Sequence, residues 1–155
     1  MDTPNKIQVT KDGYDALQKE YDELVNVKRP SVVARLERAR EEGDLSENDD
    51  YTSARDELEF LDGRIEELKL VLDHAQIAVA SGKTGTVSLG TKVTVKVNES
   101  EHIFEIVGDW EADPMNKKIS HESPLGQALV GKKVGEDVQV EAPAGIISYK
   151  ILAIN

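Results

Sequence analysis

Through the first half of the chain, apolar residues return every three or four positions. Tyr14, Leu17, Tyr21, Val25, Val32, Leu36 and Ala39 make one stripe, the spacing of a helix with a single buried face. Lys28 falls on the same stripe, where its stem can lie along apolar surface while the ammonium reaches water. Thr10 is of the type that caps such a helix. Pro30 interrupts the run. Proline removes a backbone donor and disfavours helical dihedrals at the preceding residue, Arg29, so a kink or restart is expected there, with Val32 resuming the stripe.

A second stripe, Tyr51, Ala54, Leu58, Leu61, Ile65, Leu68, Leu72 and Ala75, alternates three and four apart without a miss. That is the seam of a coiled coil. Ser46 stands three residues before Asp49, a start resembling a capping box with aspartate where glutamate is more usual. Only Gly43 to about Ser46 separates the two expected helices. Glycine just after a helix is a common stop, and so short a link makes the helices antiparallel neighbours. The second arm, about 30 residues, reaches roughly 45 Å at 1.5 Å per residue.

From about Ser81 the period becomes two. "SGKTG" reads as a linker; "TKVTVKV", "HIFEIV", "EDVQVEA" and "IISYKILAI" read as strands with turns at "NESE" and "APAG". "SPLGQALV" reads as a short helix with Ser123 capping and Pro124 in the first turn. The expected fold class is two-domain, α and α+β. Residues 1–80 form an antiparallel coiled-coil hairpin with its tip at 41–50, and residues 81–155 a domain of mainly antiparallel strands with a short helix.

Charge changes this picture. The chain carries 30 acids and 19 bases for a net charge of −11, and most of the excess lies before Ser81. So acidic a surface is a poor general partner for phosphate backbones, so strong independent nucleic-acid binding is not expected. Six carboxylates, Glu41, Glu42, Asp44, Glu47, Asp49 and Asp50, crowd the hairpin tip with no base between the first and the last. Like charges this dense stay in water unless a cation or basic partner meets them. There is no cysteine, so disulfides and thiolate metal sites are excluded, and His74, His102 and His121 lack the spacing of a zinc pair. No apolar run approaches the roughly 20 residues of a membrane span, and the N-terminus has no signal-peptide core, which suggests a soluble cytoplasmic protein.

These motifs together resemble the bacterial Gre transcript cleavage and elongation factors, most closely the GreA branch. The resemblance rests on "YDALQKEYDELVNVKRP" in the first helix, "AREEGDLSENDDYTSARDE" across the tip and "ISHESPLGQALVGKKVGEDVQVEAP" in the second domain. It implies an FKBP-like C-terminal domain that binds RNA polymerase, and a coiled coil that enters the polymerase's secondary channel. There the tip stimulates cleavage of the 3′ end of backtracked nascent RNA by the polymerase itself, so the chain would need no catalytic site of its own.

By that resemblance Asp44 and Glu47 act as catalytic carboxylates, helping to hold a second Mg²⁺ shared with the polymerase. Two-metal hydrolysis needs one ion to activate water and one to steady the leaving oxygen. Magnesium takes oxygen ligands and keeps several waters, so one or two added carboxylates suffice. By spacing alone the same two residues read as ordinary acids at a helix start, stabilised by its dipole. The resemblance likewise makes Arg40 and Arg55 contacts for the extruded RNA, where the plainer reading is weak surface ion pairing. Arg35 and Arg38 are weaker candidates, and Tyr51 belongs to the seam. Ser123, Pro124, Leu125 and Gly126 match a segment near the polymerase-binding surface.

Relatives often carry a base at Ser46 and a small residue at Asp49, so this tip is more negative than the family pattern. Three alternatives stay open: an inhibitory paralogue occupying the same channel, a non-catalytic interaction protein, and a prolyl isomerase. For the last, an aromatic-lined pocket would have to come from Phe104, Trp110 and Tyr149.

Overall fold

A computed structural model describes residues 6–44, 47–78 and 85–155. The chain divides into two compact units: Asp15–His74, and the segment up to Tyr14 together with Ala75–Asn155.

The helical arms are formed by α1 (Lys11–Glu23), whose first turn up to Tyr14 counts with the other unit, a π turn (Leu24–Lys28) and α2 (Arg29–Glu41), all continuous, and by α3 (Asp49–His74). The arms run antiparallel: Arg35 Nη2 meets Glu57 Oε2 at 2.6 Å, Arg29 Nε meets Asp62 Oδ1 at 2.7 Å, and Arg64 Nε meets Glu20 Oε1 at 2.9 Å. Leu17, Leu24, Val32 and Ala39 are buried on one arm, and Ala54, Leu61, Leu68 and Val71 on the other. Tyr51, Leu58, Ile65 and Leu72 flank that seam, half-buried. Burying each leucine contributes about 1.5–3 kcal/mol, so the seam outweighs the exposed ion pairs across it.

The arm does not break at Pro30. Arg29 keeps helical dihedrals (φ −59, ψ −50), and its N–H donates to the Leu24 carbonyl five residues back. In an α-helix the proline ring would press on the carbonyl four residues earlier. The wider π turn relieves that clash. It also stores one extra residue. The buried positions Leu17, Leu24, Val32 and Ala39 step by seven, eight and seven, so the π turn keeps a heptad face in register. This is why Leu24 is buried while Val25 is only half-buried.

The second unit contains two sheets. β1 (Ile7–Val9) pairs in parallel with β2 (Ala75–Ile77), with Val9 opposite Ile77. The expected seam therefore stops short: Ala75 lies in a strand, and α3 has 26 residues, about 39 Å, rather than 30. The larger sheet has the order β5-β4-β3-β7-β6, formed by β3 (Lys92–Val97), β4 (Ser100–Val107), β5 (Lys118–Ser120), β6 (Asp137–Ala142) and β7 (Gly145–Ile154). All its pairings are antiparallel except β4 with β5.

Both expected turns are present. Asn98 and Glu99, each at positive φ, join β3 to β4, and Pro143 and Ala144 join β6 to β7. The linker reading at 81–84 lies outside the described residues. Val87, Val93, Val95, Phe104, Ile106, Leu129, Val138 and Ile151 make the core; Leu129 comes from α4 (Pro124–Leu129).

At the start of α1 the Thr10 hydroxyl accepts from the Gly13 N–H at 3.0 Å, the cap expected there. Thr10 is itself held by Glu111: the Thr10 N–H donates to Oε2 at 2.8 Å and its hydroxyl donates to Oε1.

Candidate functional site

α2 ends on a carbonyl-rich turn that needs donors, and α3 begins on amides that need acceptors. Glu42 caps the C-terminus of α2 (φ −80, ψ −3), its N–H reaching the Ala39 carbonyl at 3.3 Å. Gly43 then turns the chain at φ +128, a conformation that side-chain-bearing residues avoid. Among the described residues, no atom crowds the place of its missing Cβ. The glycine is required by backbone geometry, not by space.

Ser46, expected as the cap, lies outside the described residues. The cap observed for α3 is Asn48. Its Oδ1 accepts from the Tyr51 N–H at 3.1 Å, and its Nδ2 donates to the Ala39 carbonyl at 2.6 Å. Asn48 thus gives the Ala39 carbonyl a second donor on one arm and satisfies an otherwise orphaned amide on the other. Asparagine immediately before an acidic first turn is itself a cap signal in the sequence, and the capping-box pattern at Ser46 competes with it.

Within this frame all six tip carboxylates are exposed: Glu41, Glu42, Asp44, Glu47, Asp49 and Asp50. Asp49 and Asp50 occupy the first turn of α3, where the helix dipole favours them. Asp44 and Glu47 stand on either side of the two undescribed positions, off both helices. Their oxygens are hard donors of the kind magnesium takes. Among the described residues no group of three or more His, Asp or Glu is arranged to hold a metal ion alone.

The arginines divide. Arg35 is committed to Glu57 across the arms. Arg40 lies exposed in the last turn of α2. Arg55 makes a loose contact, 3.7 Å, with Asp56, both side chains more than half exposed. Arg40 and Arg55 therefore keep guanidinium surface available to an anion near the tip. Tyr51 is half-buried at the seam, as expected.

In the other unit the Ser123 hydroxyl accepts from the Gly126 N–H at 3.0 Å and donates to the Ser120 carbonyl at 2.6 Å. Gly126 is buried against that same carbonyl, and Leu125 packs on the core. Of the four residues from Ser123 to Gly126, Pro124 is the exposed one. Trp110 and His121, with Ile7 and Glu122, line a shallow cleft reaching to the residue before Ser123. Sequence periodicity could not assemble that cleft from three distant segments.

A family model described as "Transcription elongation factor, N-terminal" matches residues 7–77, and one described as "Transcription elongation factor, GreA/GreB, C-term" matches residues 82–155. A relative named transcription elongation factor GreA from Neorickettsia sennetsu is 45% identical, covering 97% of this chain and 96% of its own. Another of that name, from Leuconostoc mesenteroides, is 49% identical over 95% of this chain and 93% of its own. Among solved structures, GreA factor homolog 1 (Gfh1) of Thermus thermophilus matches 97% of this chain and 99% of its own at 24% identity and a TM-score of 0.46. No helix among the described residues is long and apolar enough to cross a membrane.

Proposed function

Because the chain belongs to the GreA/GreB family of transcription elongation factors, we propose that it binds bacterial RNA polymerase in the cytoplasm and stimulates the polymerase's own cleavage of backtracked RNA. The observation that carries this reading is the tip. Asp44 and Glu47 are exposed, lie off both helices, and sit between two arms joined by a shared cap. Magnesium, when bound, activates water and steadies a leaving oxygen, and Asp44 and Glu47 are the residues that would hold it. Two carboxylates bind such an ion weakly, so the partner must supply the remaining ligands.

The protein's own residues act by presentation. The seam of Leu17, Leu24, Val32 and Ala39 against Ala54, Leu61 and Leu68 stiffens the arms, so that insertion into a secondary channel delivers the acids at a defined place. Arg40 and Arg55 offer planar donors to phosphates of the extruded RNA 3′ segment. Ser123 and Gly126 shape the surface on which Pro124 and the Trp110 cleft meet the polymerase.

The test is a stalled, backtracked elongation complex incubated with the protein and Mg²⁺. The wild type is expected to shorten the RNA, while Asp44→Asn and Glu47→Gln each lose at least a hundredfold in stimulated rate and keep polymerase affinity. Normal cleavage by both variants would overturn the assignment. Slowed synthesis without shortening by the wild type would instead identify an inhibitor occupying the same channel.

A further inference from the structure

The two hydrogen bonds of Asn48 run in opposite chemical senses. Its Nδ2 donates to a carbonyl near the C-terminus of α2, and its Oδ1 accepts from an amide in the first turn of α3. A carboxamide carries a donor and an acceptor on one rigid fork. Aspartate keeps the acceptor but sets a second oxygen against the Ala39 carbonyl. Serine keeps the acceptor but is too short to reach across. Reversing the amide would oppose like groups at both ends, which fixes its orientation. The backbone carbonyl of Asn48 also accepts from the Thr52 N–H at 3.1 Å and hydroxyl at 3.2 Å, so the residue is anchored to α3 from both sides.

We propose that Asn48 is a positioning residue for the tip carboxylates: its carboxamide ties the last turn of α2 to the first turn of α3 and so fixes where Asp44 and Glu47 are presented. This rests on the cleavage-stimulating role proposed above. Glu47 adjoins Asn48 in the chain, and Asp44 follows directly on the glycine turn whose entry is held at Ala39 and Glu42. Without the cross-tie the cap of α3 survives, but the loop's two stems lose a direct bond between them.

The experiment compares full-length wild type with Asn48→Ser and Asn48→Asp, both of which retain the cap acceptor. In amide hydrogen exchange, Glu42, Gly43 and Asp44 are expected to exchange about tenfold faster in both variants, the order expected for one hydrogen bond. Tyr51 and the rest of α3 should stay protected. In the cleavage assay, the Mg²⁺ concentration for half-maximal stimulation by the uncharged Asn48→Ser variant is expected to rise about tenfold, with polymerase affinity unchanged.

Wild-type exchange at residues 42–44 in both variants would overturn the proposal, as would a wild-type Mg²⁺ requirement in Asn48→Ser. Faster exchange along all of α3, or lost polymerase affinity, would reduce Asn48 to a structural cap and overturn it equally. If the wild type itself stimulates no cleavage, the functional reading fails first and takes this role with it; that failure is seen in the wild type, not in the variants.

Discussion

Glu111 accepts from three donors: the Thr10 N–H at 2.8 Å, the Thr10 hydroxyl, and the Gly108 N–H at 3.0 Å. Thr10 is buried, so removing the carboxylate strips its donors of their partner at a site where burial makes that costly. Glu111→Ala is expected to cost about 2–3 kcal/mol, seen as a lower denaturation midpoint at unchanged slope. Gly126 is constrained differently: a Cβ there would land on the Ser120 carbonyl oxygen. Gly126→Ala is expected to destabilise by about 1–3 kcal/mol, measured in the same way. At this scale the sequence was partly legible. Thr10, Gly43 and Ser123 announce caps and stops through local chemistry. Glu111 does not, because its partner lies 101 residues away. Asn48 was legible but lost to Ser46, since the capping-box pattern also fitted a start two residues earlier.

Among elements, the π turn has the clearest consequences. It adds one residue to the heptad step between Leu24 and Val32, and Pro30 follows it directly, in the first turn of α2. Deleting Asn26 alone restores α geometry around the proline and is expected to cost about 3 kcal/mol. Deleting Asn26 together with Pro30→Ala should recover most of that loss, because Val32 and Ala39 still face the seam. Circular dichroism melts of the two variants check this, and equal melting temperatures would refute the clash. Leu61→Ala, which opens a hole at the centre of the seam, is expected to cost about 2–5 kcal/mol.

The ion pairs across the arms count for less. Arg64 is held above its usual pKa by its hydrogen bonds to Glu20. A raised base contributes fully below its unfolded pKa and loses that contribution only as pH rises through its higher folded pKa, far into the alkaline range, so this arginine adds no pH dependence near neutrality. The stripe on each arm was readable because buried residues recur with a helical period. Where a π residue slips that period by one, Val25 and Leu24 exchange places, and no periodic rule anticipates it. The strands at Ile7–Val9 and Ala75–Ile77 were unreadable for a simpler reason: three residues are too few to display a period of two.

For the whole molecule, charge is the governing quantity. The net charge is −11, and six exposed carboxylates crowd one tip. Self-repulsion of this kind is screened as the Debye length falls from about 30 Å at 0.01 M salt to about 8 Å at 0.15 M. Thermal stability is therefore expected to rise by a few degrees across that range, measured by calorimetry, even though the exposed arginine pairs weaken. A fall instead would mean that the pairs outweigh the tip.

The pairing of Val9 with Ile77 carries a last consequence. The polypeptide leaves its sheet-bearing body at one strand and re-enters at the neighbouring one, so the 60 residues from Asp15 to His74 form a cassette spliced into a frame that closes without them. A cassette of different reach or tip chemistry could be grafted at this junction provided that it carries α1 on in register from Lys11–Tyr14, the helical turn that belongs to the frame.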